Sequence, residues 1–179
     1  MMSRSRARAL FGRWLFFSQP MQNLSITIRP YQSRDLPELA RLFYRTVHEI
    51  NARDYSPDQL NVWASGQIDT ERWDRSLRGH LSLIALVGDT IAGFGDIDSS
   101  GYLDRLYVHA DYQSQGIGTA LCDRLEAAVS GDITTHASIT ARGFFEKRGY
   151  RVLRAQQVNL SGVLLTNFVM VRQRPTAAP

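Results

Sequence analysis

The stretch DYQSQGIGTALCDRL, Asp111 to Leu125, decides how this chain is read. Gly116 and Gly118 stand two residues apart, just ahead of a helical pattern. In that pattern Ile117, Leu121, Leu125 and Val129 recur at four-residue steps, with Thr119, Asp123 and Glu126 expected to face away from the stripe. The first N–H groups of a helix have no partner inside it, and that end of the helix dipole is positive. Glycines there let an anion approach the backbone, so one reading is a phosphate cradle. The other is a plain helix-opening turn whose glycines only satisfy its geometry.

Two familiar phosphate loops are excluded. A P-loop requires GxxxxGK[ST], and the stretch has no lysine. The dinucleotide fingerprint GxGxxG would place its third glycine at Leu121. It also begins where a strand ends, whereas six residues, Ala110 to Gln115, separate Gly116 from the preceding strand.

Outward from the loop, YLDRLYVH (102–109) reads as the strand before it and ITTHA (133–137) as the strand after its helix, which ends near Val129. Together they form a strand-helix-strand crossover. Upstream, LSLIALVG (81–88) and TIAGFGDID (90–98) flank a Gly88-Asp89 turn and suggest a hairpin. LSITIRP (24–30) alternates as a half-buried strand. Leu36, Leu39, Ala40, Phe43, Val47 and Ile50 mark a helix with Asp35 as its cap. Short helices are expected at 59–64 and 69–77. Downstream, Ala141 to Arg148 is helical, Gly149 stops it, and YRVLRAQQV and LLTNFVMVR finish as strands. The order predicts an α+β domain on a mixed, mostly antiparallel sheet of about six to seven strands, with one parallel pair at the crossover.

The 179 residues suffice for one domain with a real core, expected over 21–174. Composition is 44% hydrophobic and 21% charged, as in globular proteins. The net charge of +4 resides in residues 1–20, where Arg4, Arg6, Arg8 and Arg13 meet no acid. The remainder is neutral and shows no basic stripe, which argues against a nucleic-acid partner. No apolar run reaches the length of a membrane span. The single cysteine, Cys122, permits no internal disulfide and fits a reducing, cytoplasmic setting. Residues 1–20 read either as a disordered, transit-like leader or as sequence upstream of a true start at Met21; residues 175–179 read as a frayed tail.

What survives at the loop is Gln113-x-x-Gly116-x-Gly118, placed after LYVHADY. This resembles the acetyl-CoA loop of the GNAT N-acetyltransferase superfamily, [QR]-x-x-G-x-[GA]. ASITARGFFEKRGY (137–150) is similar to that family's second cofactor element, and the element order also matches. SPDQLNVW and FFEKRGY resemble a bacterial subgroup of poorly defined substrate. The resemblance implies that the amides of Gln113, Ser114, Gln115, Gly116, Ile117, Gly118 and Thr119 cradle the coenzyme pyrophosphate. It implies that Leu106, Tyr107 and Val108 pair with the pantetheine arm, the Val108 N–H facing the thioester carbonyl. Ser138, Ala141, Phe144 and Phe145 are implied to line the opposite wall. Lys147 or Arg148 either meets the 3′-phosphate or lies on a solvated helix face.

Two departures concern proton handling. The family's thiolate acid is often a Tyr at the position of Phe145, which has no proton to give. The base in several members lies six or four residues ahead of the Val, here Tyr102 and Asp104, on one strand face by alternation. Asp104 is the base candidate and Tyr102 an amine-orienting one; an Arg ion pair is the competing role for Asp104. Asp96 and Asp98 offer charge to a cationic amine or merely solvate a hairpin end. His136 is a further titratable candidate, or a plain strand-end hydrogen-bonding residue. His48, Trp63 and Trp73 belong either to an acceptor wall or to the core. Tyr150 is expected as core and Cys122 as an inert packed thiol. The implied function is N-acetyl transfer from acetyl-CoA to a primary amine, without metal and with a possible homodimer. A non-catalytic acyl-CoA sensor is the alternative.

Overall fold

The computed structural model describes residues 25–174, so the expectations for the two tails lie outside the described residues. The strands are β1 (Ile26–Pro30), β2 (Leu81–Val87), β3 (Thr90–Ile97), β4 (Tyr102–Val108), β5 (Ile133–Ser138), β6 (Arg151–Leu160) and β7 (Val163–Arg172). The helices are α1 (Leu36–Glu49), α2 (Pro57–Trp63), α3 (Thr70–Gly79), α4 (Ile117–Ala127) and α5 (Ile139–Lys147). One sheet holds all seven strands in the order β1-β2-β3-β4-β5-β7-β6. Only β4 and β5 run parallel. Among the described residues no helix is long and apolar enough to cross a membrane.

The helices divide between the two faces. Under α4 and α5 lies a core with Leu103, Ile117, Leu121, Cys122, Leu125, Ile133, Phe145 and Met170. Under α1 to α3 lies a second, with Leu39, Leu42, Phe43, Val47, Leu77, Ile84 and Phe94. Gly93 and Gly95 let α4 seat directly on β3. A Cβ on Gly93 would stand 2.9 Å from the Ile117 side chain, and one on Gly95 2.9 Å from the Arg105 carbonyl oxygen. The AGFG run on β3 therefore sets how near the helix, and hence its N-terminus, comes to β4.

Three local expectations change. Asp35 does not cap α1 with its side chain; its carboxylate accepts from the Gln32 N–H and from both terminal nitrogens of Arg29. Helix α5 starts two residues before Ala141, because the Ser138 hydroxyl accepts the Ala141 N–H and caps it there. Glu126, expected on the outer face of α4, is only 3% exposed. It lies where α4 meets the chain after α5 and the end of β7. There its carboxylate binds Arg148 and Arg172 and accepts from the Tyr150 hydroxyl. Periodicity along one helix cannot report a burial created by two other elements.

Candidate active site

The central feature is a gap between the two parallel strands. β4 and β5 pair only at Tyr102–Thr134 and Leu103–Thr135, after which they part. β5 continues to Ser138 on β7 alone. A cleft of about 810 Å³ opens there, with Leu106, Tyr107 and Val108 on one wall and His136, Ala137 and Ser138 on the other.

Backbone polarity follows from the ladder. The His109 N–H donates to the Ala92 carbonyl of β3. Alternate residues of an antiparallel strand point their polar groups the other way, so Val108 turns its N–H and C=O toward the gap. Its carbonyl is taken by the Thr46 hydroxyl at 3.0 Å and the Gln113 side-chain amide at 2.6 Å. Gln113 thus ties the loop to the end of β4 through its side chain. Thr46, from α1, is a contributor that no local motif signals.

At the mouth, Gly116 takes the N-cap of α4 with φ of 86°, left-handed backbone that other residues adopt only with strain. No atom lies within 4 Å of where its Cβ would be. Ser114 also has positive φ, at 60°. Ser114, Gly116, Ile117, Gly118 and Thr119 line the cleft. The Gln115 side chain turns back to the Asp111 carbonyl. A Cβ on Gly118 would reach 3.4 Å from Phe144, so α4 and α5 face each other closely across the opening.

The opposite wall carries Ser138, Ala141, Phe144, Phe145 and Lys147. Phe145 is only 3% exposed, its ring edge-on to Phe144 and to Tyr150. Arg148 stands apart, bound to Glu126 and Asp123. The start of α5 is fixed by Tyr55, whose hydroxyl accepts the Ile139 N–H at 2.9 Å and donates to the Thr166 carbonyl at 2.7 Å. Tyr55 lies 84 residues before Ile139, so sequence spacing could not reveal it.

The proton-handling candidates gather on the face that carries α1 to α3. Asp96 of β3 pairs with Arg105, and Ile97 with Leu103, leaving Asp104 as an extra, bulged residue. Asp104 lines the cleft, and its carboxylate is 3.2 Å from Arg105. Tyr102 packs edge-on against His136, with ring centres 5.3 Å apart. Burial, with neighbouring carboxylates, pushes the Tyr102 hydroxyl up to about 12, so it remains a neutral donor near pH 7. Asp98 is occupied by the turn that follows it, accepting from Ser100 and from the Tyr102 N–H. Asp96 is fully buried and bound to His80 and Arg105.

The aromatic candidates separate. Trp63 lines the cleft. Trp73 packs on Phe43 and Phe94 beneath the Arg105 guanidinium. A ring nitrogen of His48 meets the Ala64 carbonyl. Cys122 is buried, which pushes its thiol up to about 12 and leaves it unreactive.

Residues 51–172 match the family model of the GNAT acetyltransferase domain. The chain belongs to the GNAT acetyltransferase family. This acetyltransferase is 36% identical over 152 residues to the uncharacterised N-acetyltransferase YafP of Escherichia coli K12, covering 84% of this chain and 97% of that one. It is similar to a GCN5-related N-acetyltransferase from Rhodopseudomonas palustris, with TM-score 0.79 and 34% identity over 83% of this chain and 95% of that chain. The PaiA N-acetyltransferase of Thermoplasma acidophilum, solved with coenzyme A, shares the fold at TM-score 0.67 and 21% identity, over 84% and 99% of the two chains. The protein is thus an acyltransferase by family, on a mixed sheet with a single parallel pair.

Proposed function

We propose that the protein moves the acetyl group of acetyl-CoA directly onto a primary amine of a small molecule or an exposed protein amine. The observation that carries this is the parting of β4 and β5, with the N-terminus of α4, whose first N–H groups have no partner inside the helix, at its mouth. An extended thioester arm can add to the polar edge left open on β4. The amides of Ser114 to Thr119 suit its pyrophosphate, and Lys147, which lines the cleft, suits its 3′-phosphate. That a protein of this fold was solved with coenzyme A agrees with this assignment.

The chemistry is attack of a neutral amine on the thioester carbon. The Val108 N–H donates to the carbonyl oxygen and gains strength as that oxygen becomes negative. Asp104 accepts the amine proton, directly or through water, while Tyr102 and His136 orient the nitrogen. Phe145 offers no acid, so the thiolate departs to water; close positioning supplies most of the rate. The test is thiol release from acetyl-CoA against polyamines, aminoglycosides, amino acids and lysine peptides. Turnover on one class supports the transferase. Tight acetyl-CoA binding with no turnover on any would favour an acyl-CoA sensor.

A further inference from the structure

Behind Asp104 lies a polar chain that the transfer step leaves unexplained. Asp96, at 0% exposure, takes two partners on one oxygen: His80 Nδ1 at 2.6 Å and Arg105 at 2.9 Å. Its other oxygen, Oδ1, is buried and has no partner among the described residues. A half-satisfied buried carboxylate is costly and calls for a reason. Arg105 is itself held, by Ser76 at 3.2 Å and by the face of Trp73. One ligand atom from each of His80, Asp96 and Asp104 lies within 4.8 Å of the others. The three differ in exposure along one direction. The Asp104 side chain, 31% exposed, faces the cleft; Asp96 is sealed; the His80 side chain, at the end of α3, regains 22% exposure.

Resting on the transferase reading, we infer that His80 and Asp96 are the proton exit for the acceptor amine, carrying to bulk water the proton that Asp104 removes. The ammonium N–H bond breaks and its proton passes to the Asp104 carboxylate. The freed lone pair forms the new C–N bond, the C–S bond breaks, and the nitrogen's second proton passes through water to the departing thiolate, leaving the amide and the thiol. The Asp104 proton then crosses, through one bridging water, to the unpartnered Asp96 Oδ1. The proton shared between Asp96 Oδ2 and His80 Nδ1 settles on the ring, and the imidazolium gives up a proton to buffer. Burial raises the proton affinity of Asp96, as a relay member between a carboxylate and an imidazole requires. Arg105 keeps both carboxylates in place without exchanging its own protons.

The experiment is steady-state thiol release with His80→Asn, on the fastest amine of the panel. Asn can keep a hydrogen bond to Asp96 but cannot carry the proton. Its kcat is expected to fall about tenfold or more in dilute buffer, a modest share of a general-base effect. Added imidazole should restore the rate, with acetyl-CoA affinity unchanged. The wild type should be insensitive to buffer concentration. A variant as fast as wild type, a loss that imidazole does not restore, or a buffer-dependent wild type would each overturn the exit. Loss of wild-type activity in EDTA would also overturn it, since the three side chains would then be metal ligands. If His80→Asn does not fold, His80→Gln and the wild-type buffer series give the same decision. No turnover by wild type on any amine would overturn relay and transferase together, whereas an active wild type with an unaffected variant would overturn the relay alone.

Discussion

The two faces of the sheet are built on different plans. On the side of α4 and α5 the site is mostly backbone: the N–H groups of one loop, one helix end and the open edge of β4. On the side of α1 to α3 it is side chains: His80, Asp96, Asp104, Arg105 and His136, drawn from three strands and the end of α3. A backbone cradle needs a contiguous run with glycine at fixed places, so it leaves a motif. A side-chain cluster needs only that the sheet bring distant positions together, so it leaves none. The first face suits an invariant ligand and the second a variable one.

That contrast can be broken experimentally, most strongly at Gly116. Gly116→Trp should abolish acetyl-CoA binding in calorimetry, because the ring would fill the space at the helix mouth. Gly116→Ala should lose only about 1–2 kcal/mol of stability from its left-handed backbone. Equal loss of binding in both variants would mean that the turn, and not the space, is what counts. Asp104→Asn comes next: kcat should fall about 10²–10⁴-fold while acetyl-CoA affinity holds. Unchanged rates would remove Asp104 from the chemistry and leave it an ion-pair partner of Arg105.

Smaller effects test whether the rest of each face is scaffold. Glu126→Gln strips the charge that Arg148 and Arg172 share and should cost about 3 kcal/mol in denaturant unfolding, with acetyl-CoA affinity unaltered. Asp35→Asn, beneath α1, should cost about 1–2 kcal/mol. The Arg29 guanidinium holds the Asp35 carboxyl below the usual carboxylate range. A depressed carboxylate contributes stability above its unfolded value of about 4, and that contribution fades as pH falls through the folded value. The wild-type advantage over Asp35→Asn should therefore be full at pH 7 and shrink below pH about 4, read from unfolding midpoints.

The same division explains what could be read in advance. The order of elements along the chain, the crossover and the loop followed from hydrophobic period and glycine placement, because local pattern controls them. The buried position of Glu126 was not legible, since it depends on Arg148, Arg172 and Tyr150, 22 to 46 residues away. Nor was the bulge at Asp104, which lets Leu103 and Leu106 reach the same core across a slipped alternation. Phe145 was legible as a missing hydroxyl, but its packing against Tyr150 came only with the fold. Tyr55 and Thr46, which fix the two walls of the cleft, carry no signal beyond an ordinary helix or loop position.

The central claim is that acetyl-CoA lies in the parting of β4 and β5 with its pyrophosphate on the N-terminus of α4. Titrating acetyl-CoA into ¹⁵N-labelled protein tests it most directly. The amide resonances of Val108 and of Ser114 to Thr119 should move together and saturate with one binding constant. If they stayed fixed while amides around Glu126, Arg148 and Arg172 moved, the coenzyme would bind elsewhere and the account of the site would be wrong.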